Sequence, residues 1–294
     1  MFVQGMWQTF FGINVALFMM LTGYLNLNKT VCRKYYCGGV RVIVSYLIIS
    51  LVTIAFRTWY LEDTKSVWQW MNQVGDFSAI PYAWYIKMWI GLFLLTPFLN
   101  AMWRGLESKC ARQVLIATLF LLSAPSDLLN RYGMTLWPDY WEQAAYPLMF
   151  FFSGAYIKTY QPMVKRWKIA AAAVAICMIN PIVTMAVAHG HTYVQITGDT
   201  NGLFIAPLAV MVFLLLYRID VKNEVVKATL RKVSVLSLDM YLFSWICDQF
   251  YYPLFMKNWY VDQGEFGCFF FIIVPLVLAT AFGMAWMKQL VIRV

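Results

Sequence analysis

Long apolar runs separated by short polar segments fill this chain from one end to the other. Runs near the ~20 residues that a helix needs to cross a bilayer occur at 8–27, 40–57, 83–103, 143–160, 166–188, 202–219, 233–256 and 267–287. A shorter run at 112–125, RQVLIATLFLLSAP, closes on Pro125, which cannot continue a helix. Counting it gives nine segments. The expected fold is therefore all-α: a polytopic helical membrane bundle of about nine transmembrane helices, forming one domain over 1–294. The first run is long and has no basic segment before it, so no cleavable signal peptide is expected. No internal repeat or low-complexity linker stands out.

Charge gives the bundle a direction. If the N-terminus lies outside and successive loops alternate, the inner segments hold Lys29, Arg33, Lys34 and Arg41, then Arg104, Lys109 and Arg112. Lys158, Lys165, Arg166 and Lys168 follow, then Arg218, Lys222, Lys227, Arg231 and Lys232, and finally Lys288 and Arg293. Of the 23 basic residues, only Arg57, Lys65, Lys87, Arg131 and Lys257 fall elsewhere. Positive loops stay inside, so the pattern predicts an outer N-terminus and an inner C-terminus, and it needs the short run at 112–125 to keep alternating. Most acids lie on the predicted outer segments, beside tryptophan and proline in TKSVWQWMNQVGDFSAIPYAWY and GMTLWPDYWEQAAYP. These outer stretches suit an interfacial aromatic belt, and equally a surface on which a sugar could stack.

Composition agrees with the pattern. The chain of 294 residues is 62% hydrophobic and 13% charged, against about 25% charged in soluble domains. Its 13 Trp and 18 Tyr are side chains that gather at bilayer interfaces. A net charge of +9 invites a nucleic-acid reading, but no run of five Lys or Arg exists and the cations sit in loops. No nucleic-acid partner is expected. The six cysteines form no CxxC and no Cys/His cluster, so no metal site is expected.

Four stretches, in order, resemble the acyltransferase 3 family of membrane acyltransferases. NVALFMMLTGYLNLNK (14–29) is similar to that family's second helix, with Thr22 where a serine is usual. AWYIKMWIGLFLLTPFLN (83–100), YPLMFFFSGAYIKTYQP (146–162) and LSLDMYLFSWICDQFYYP (236–253) are similar to three later helices. The resemblance implies a multi-pass enzyme of the plasma or inner membrane. It would move an acyl group, commonly acetyl from acetyl-CoA, onto a hydroxyl of a cell-surface or lipid-linked carbohydrate. The implied partners are membrane lipid and that carbohydrate; acyl-CoA is a co-substrate and no bound cofactor is expected. The family has about ten helices with both ends inside, and its first carries the catalytic histidine. That helix has no counterpart here, so the resemblance implies an N-terminally truncated member whose catalytic residue is unknown. His189 and His191 fall in a predicted outer loop and are expected to be loop residues. The family's Arg-x-x-Arg pair, thought to serve the CoA phosphates, is half kept: Arg41 fills the later position and Gly38 the earlier, with Arg33 and Lys34 able to compensate.

Beside these donor-binding candidates stand residues for an acceptor or pore: Asp239, Tyr241, Ser244, Trp84, Tyr85 and Asn14. A charge deep in a span costs about 2.5–3.5 kcal/mol on insertion scales, so Asp239 should face the bundle interior. Arg231, Lys232 or a cation near the start of 40–57 would be its partner. Asp248 is nine residues on, about 900° of turn, so the two acids should not meet. Each candidate also has a plainer reading: topology for the cations, interhelical hydrogen bonds for Asn14, an interfacial belt for Trp84 and Tyr85. Two other functions stay open: a transporter or flippase for a polyprenyl-linked sugar, and a non-catalytic remnant.

Overall fold

In the computed structural model, which describes residues 2–130, 135–187, 202–258 and 263–291, each of the nine apolar runs is helical. Twelve α-helices and one 3₁₀ turn are described: α1 (Phe2–Phe11), α2 (Asn14–Asn26), α3 (Arg33–Tyr60), α4 (Val67–Gly75), α5 (Trp84–Gly105), α6 (Lys109–Ser123), α7 (Ser126–Leu129), α8 (Glu142–Tyr160), α9 (Arg166–Val187), α10 (Ile205–Leu216), α11 (Glu224–Asn258) and α12 (Gln263–Val291), with the 3₁₀ turn at Pro81–Ala83. No strand occurs among the described residues.

Among the described residues, five helical stretches are long and apolar enough to cross a membrane: Phe2–Asn26, Arg33–Tyr60, Pro81–Gly105, Arg166–Ala186 and Phe269–Val291. The first is interrupted around Gly12 and Ile13, where α1 gives way to α2. The run at 112–125 sits on α6, only 15 residues long, and the one at 202–219 on α10, 12 residues long.

The helix starts have local causes. Ser108 accepts a hydrogen bond from Ala111 N at 3.0 Å at the head of α6, and Asn223 accepts from Val225 N and Val226 N ahead of α11. Ser66 and Gln69 form a reciprocal capping box on α4. Each satisfies backbone donors that a helix end leaves open. Prolines inside α5, α8, α9, α11 and α12 are tolerated where neighbouring helices re-satisfy the freed groups.

The helices group into two compact units: Met1–Val31 with Leu94–Asp220, and Cys32–Phe93 with Val221–Val294. In the first, α2 lies against α8, and α6 also packs on α8. Glycine makes the α2–α8 approach possible. A Cβ on Gly23 would run into the Phe151 carbonyl, and one on Gly154 into the Met20 carbonyl. Small residues at membrane helix crossings let backbones come this close. Met19, Met20, Phe150, Phe151 and Phe152 are buried around that crossing. In the second unit, α11 packs along α12 and also on α3, over a core that includes Tyr46, Ile49, Leu242, Phe243, Ile273 and Ala281.

Candidate functional site

The second unit presents polar side chains in three places along α3 and α11. At the start of α3, Arg33 and Lys34 occupy the first turn and Arg41 follows two turns on; all three are exposed. None has an ion pair among the described residues. Cations in a first helical turn add to the positive end of the helix dipole instead of opposing it, so this end of α3 is strongly electropositive. The helix is held there by rings. Tyr35 stacks on Phe93 at 4.5 Å and donates from Oη to the Phe93 carbonyl at 2.8 Å, and Trp89 also stacks on Phe93, at 4.8 Å.

Twelve residues beyond Arg33, about 18 Å along the axis at 1.5 Å per residue, α3 presents Ser45 to a buried ion pair. Lys288 Nζ lies 2.7 Å from Asp239 Oδ2. Ser45 Oγ donates to Asp239 Oδ1 and accepts from Lys288 Nζ. The side chains of Lys288 and Asp239 are 10% and 15% exposed. The predicted partner of Asp239 is thereby corrected. Lys232 instead lies over the Trp286 ring at 4.1 Å. The reason is that α12 packs along α11, placing a cation from the far end of the chain opposite the acid.

Asp248 lies on a different face of α11, as its spacing from Asp239 requires. It accepts from Tyr82 Oη at 2.6 Å. Tyr82 stacks on Tyr241 at 5.7 Å, and Tyr85 meets the same ring edge-on at 6.0 Å. A cavity of about 320 Å³ opens beside the pair, lined by Tyr82, Asp248, Gln249, Tyr252, Pro253 and Met256. That size is at the lower end of small-molecule sites.

The structure thus brings Tyr85 and Tyr241 together beside Asp248, which the sequence separates from Asp239 without giving it a partner, and Tyr82, which was not singled out from sequence. Trp84 meets Tyr85 edge-on at 6.5 Å and is 43% exposed. Ser244 spends its hydroxyl on the Tyr241 carbonyl at 2.8 Å. Asn14 belongs to the first unit, where its Oδ1 accepts from Val15 N. His189 and His191 lie outside the described residues.

Sequence reading also missed the clamp past the end of α3. Arg57 donates to Asp63 Oδ2 at 2.6 Å and to the Ala79 carbonyl at 3.1 Å, with its guanidinium over the Trp70 and Trp245 rings. Lys65 joins Asp63 at 2.8 Å. Hydrogen bonding from Lys65, and then the bonds and charge of Arg57, hold the Asp63 carboxyl below its ordinary range. Asp76 is likewise lowered, chiefly by hydrogen bonds from Ser78. Lys87, an odd cation to find near the start of a span, is exposed and donates to the Asp76 carbonyl at 3.4 Å.

The model of the acyltransferase 3 family, described as an acyltransferase domain, matches residues 1–286. No curated protein and no solved structure matches the chain.

Proposed function

This chain belongs to the acyltransferase 3 family, and from that premise we propose that it is a membrane-bound O-acyltransferase taking its acyl group, acetyl in the first instance, from acyl-CoA. The acceptor is a hydroxyl of a cell-surface or lipid-linked carbohydrate. The proposed topology is nine spans with the N-terminus outside and the C-terminus inside, in the plasma or inner membrane, which puts the start of α3 on the cytoplasmic side with the CoA pool.

One observation carries the donor assignment: Arg33, Lys34 and Arg41 are exposed at the positive end of α3, with no ion pair among the described residues. Positive-inside topology asks for cations near this end but does not ask for two of them in the first turn. Arginine forks suit the phosphates of CoA. For the acceptor, the cavity beside Tyr82 and Asp248 offers a carboxylate and aromatic faces, a combination that binds sugar hydroxyls and C–H faces together. The Ser45–Asp239–Lys288 network serves as the joint that fixes α3 against α11 and α12. No described residue is assigned the role of general base.

Titrating the purified chain with desulfo-CoA by calorimetry tests the donor site. Binding should weaken at least tenfold in the Arg33→Ala/Lys34→Ala/Arg41→Ala variant and fall steeply with salt. Binding unchanged by that triple substitution would refute the assignment.

A further inference from the structure

A cavity of about 710 Å³ lies within the first unit, among α6, α8, α9 and α10. Its shaft is hydrocarbon: Phe120, Phe150, Ala172 and Met211 face it from the four helices. The polar groups that line it are mostly satisfied already. Ser153 Oγ donates to the Met149 carbonyl at 2.8 Å, and Gln113 Nε2 donates to Tyr156 Oη at 3.0 Å. The shaft therefore asks for no polar guest, and water there would find few partners.

One end differs. Gln113 near the start of α6, Tyr156 near the end of α8 and Lys168 near the start of α9 line the same end. Lys168 is exposed and has no carboxylate partner among the described residues. Lys165 and Arg166 precede it, both exposed. Lys168 Nζ lies 5.7 Å from the Trp167 ring centroid, which leaves its charge uncompensated by any carboxylate among the described residues. An apolar shaft ending in such an ammonium fits a molecule with a hydrocarbon chain and an anionic head. Basic pockets between membrane helices hold anionic lipid headgroups on these terms.

We propose that this cavity is a binding site for an anionic phospholipid of the surrounding membrane, with an acyl chain among α6, α8, α9 and α10 and the phosphate on Lys168. Neither the donor nor the acceptor assignment above enters into it. The site is on the first unit, and all its lining residues are too.

Native mass spectrometry of the full chain in detergent, incubated with phosphatidylglycerol or with phosphatidylcholine of the same chains, reads the site directly. One phosphatidylglycerol per chain should be retained, roughly fivefold more than phosphatidylcholine, from about one cation's contribution to headgroup attraction. Lys168→Gln should bring the two lipids to parity, and Ala172→Trp, which fills the shaft, should lower retention of both. Lys168 is exposed, so the Gln variant reports on the headgroup even if the Trp variant does not assemble. Equal retention of the two lipids by the unaltered chain, or no response to Lys168→Gln, would overturn the proposal. Displacement of the adduct by inorganic phosphate alone would overturn it as well, since it would leave the shaft without a role.

Discussion

A carboxylate among packed membrane helices must find a cation, and Asp239 finds Lys288 with Ser45 bridging both. Removing one partner leaves the other charge stranded, which costs roughly 3–5 kcal/mol for a buried pair. Asp239→Asn and Lys288→Met should each destabilise the chain by about that much in detergent unfolding. The Asp239→Leu/Lys288→Leu double variant should recover most of the loss, because replacing a buried pair by apolar groups is often close to neutral. Equal and additive losses would show that the two charges do not act as a pair. Gly38 makes the opposite test. A Cβ there meets nothing within 4 Å, so Gly38→Arg fits and completes the family's Arg-x-x-Arg with Arg41. It should raise CoA affinity several-fold and, by removing a glycine from a helix interior, stabilise α3 by up to about 1 kcal/mol. Affinity unchanged in this variant, measured by the same calorimetry, would argue that phosphates do not bind at this end of α3.

Helix pairs are governed by what their contact faces allow. The glycines of the LTGY and FSGAY stretches were legible as family motifs, but their cause appears only in the α2–α8 crossing, where each meets the other helix's backbone. Gly23→Val or Gly154→Val should therefore cost about 3 kcal/mol or more, above the usual range for overpacking, because backbone atoms rather than a flexible side chain stand in the way. Thermal unfolding of each variant checks it. Past the end of α3, the Arg57–Asp63–Lys65 clamp is an acid-sensitive contact. The Asp63 carboxyl is lowered in the folded chain, so its stabilising share is present above the unfolded value near 3.8 and is lost as pH falls through the lower folded value. Protease cleavage between α3 and α4 should be unchanged from pH 7 to pH 5 and rise only below that carboxylate range. Asp63→Asn should show the raised cleavage at neutral pH.

For the molecule as a whole, each apolar run read from hydropathy lies on a helix among the described residues, and five helical stretches there are long and apolar enough to cross a membrane. Hydropathy placed the ends less well: α11 begins at Glu224 rather than 233, since Asn223 caps it, and 8–27 is two helices that start at Phe2. Spacing along α11 did separate Asp239 from Asp248. It could not name their partners, Lys288 and Tyr82, which depend on which helices lie side by side. Arg57 was passed over because its value comes from Trp70 on α4, Trp245 on α11 and the Ala79 carbonyl, partners far apart in sequence that meet it only in the fold. Acyl transfer itself is tested most directly by adding radiolabelled acetyl-CoA to membranes with and without the chain and following label into the carbohydrate fraction. With the family's histidine-bearing helix supplied alongside the chain, the account predicts chain-dependent incorporation that mild alkali releases as acetate, as an ester must, and little incorporation without that helix. Equal incorporation with and without the chain, the helix present and CoA binding intact, would contradict it.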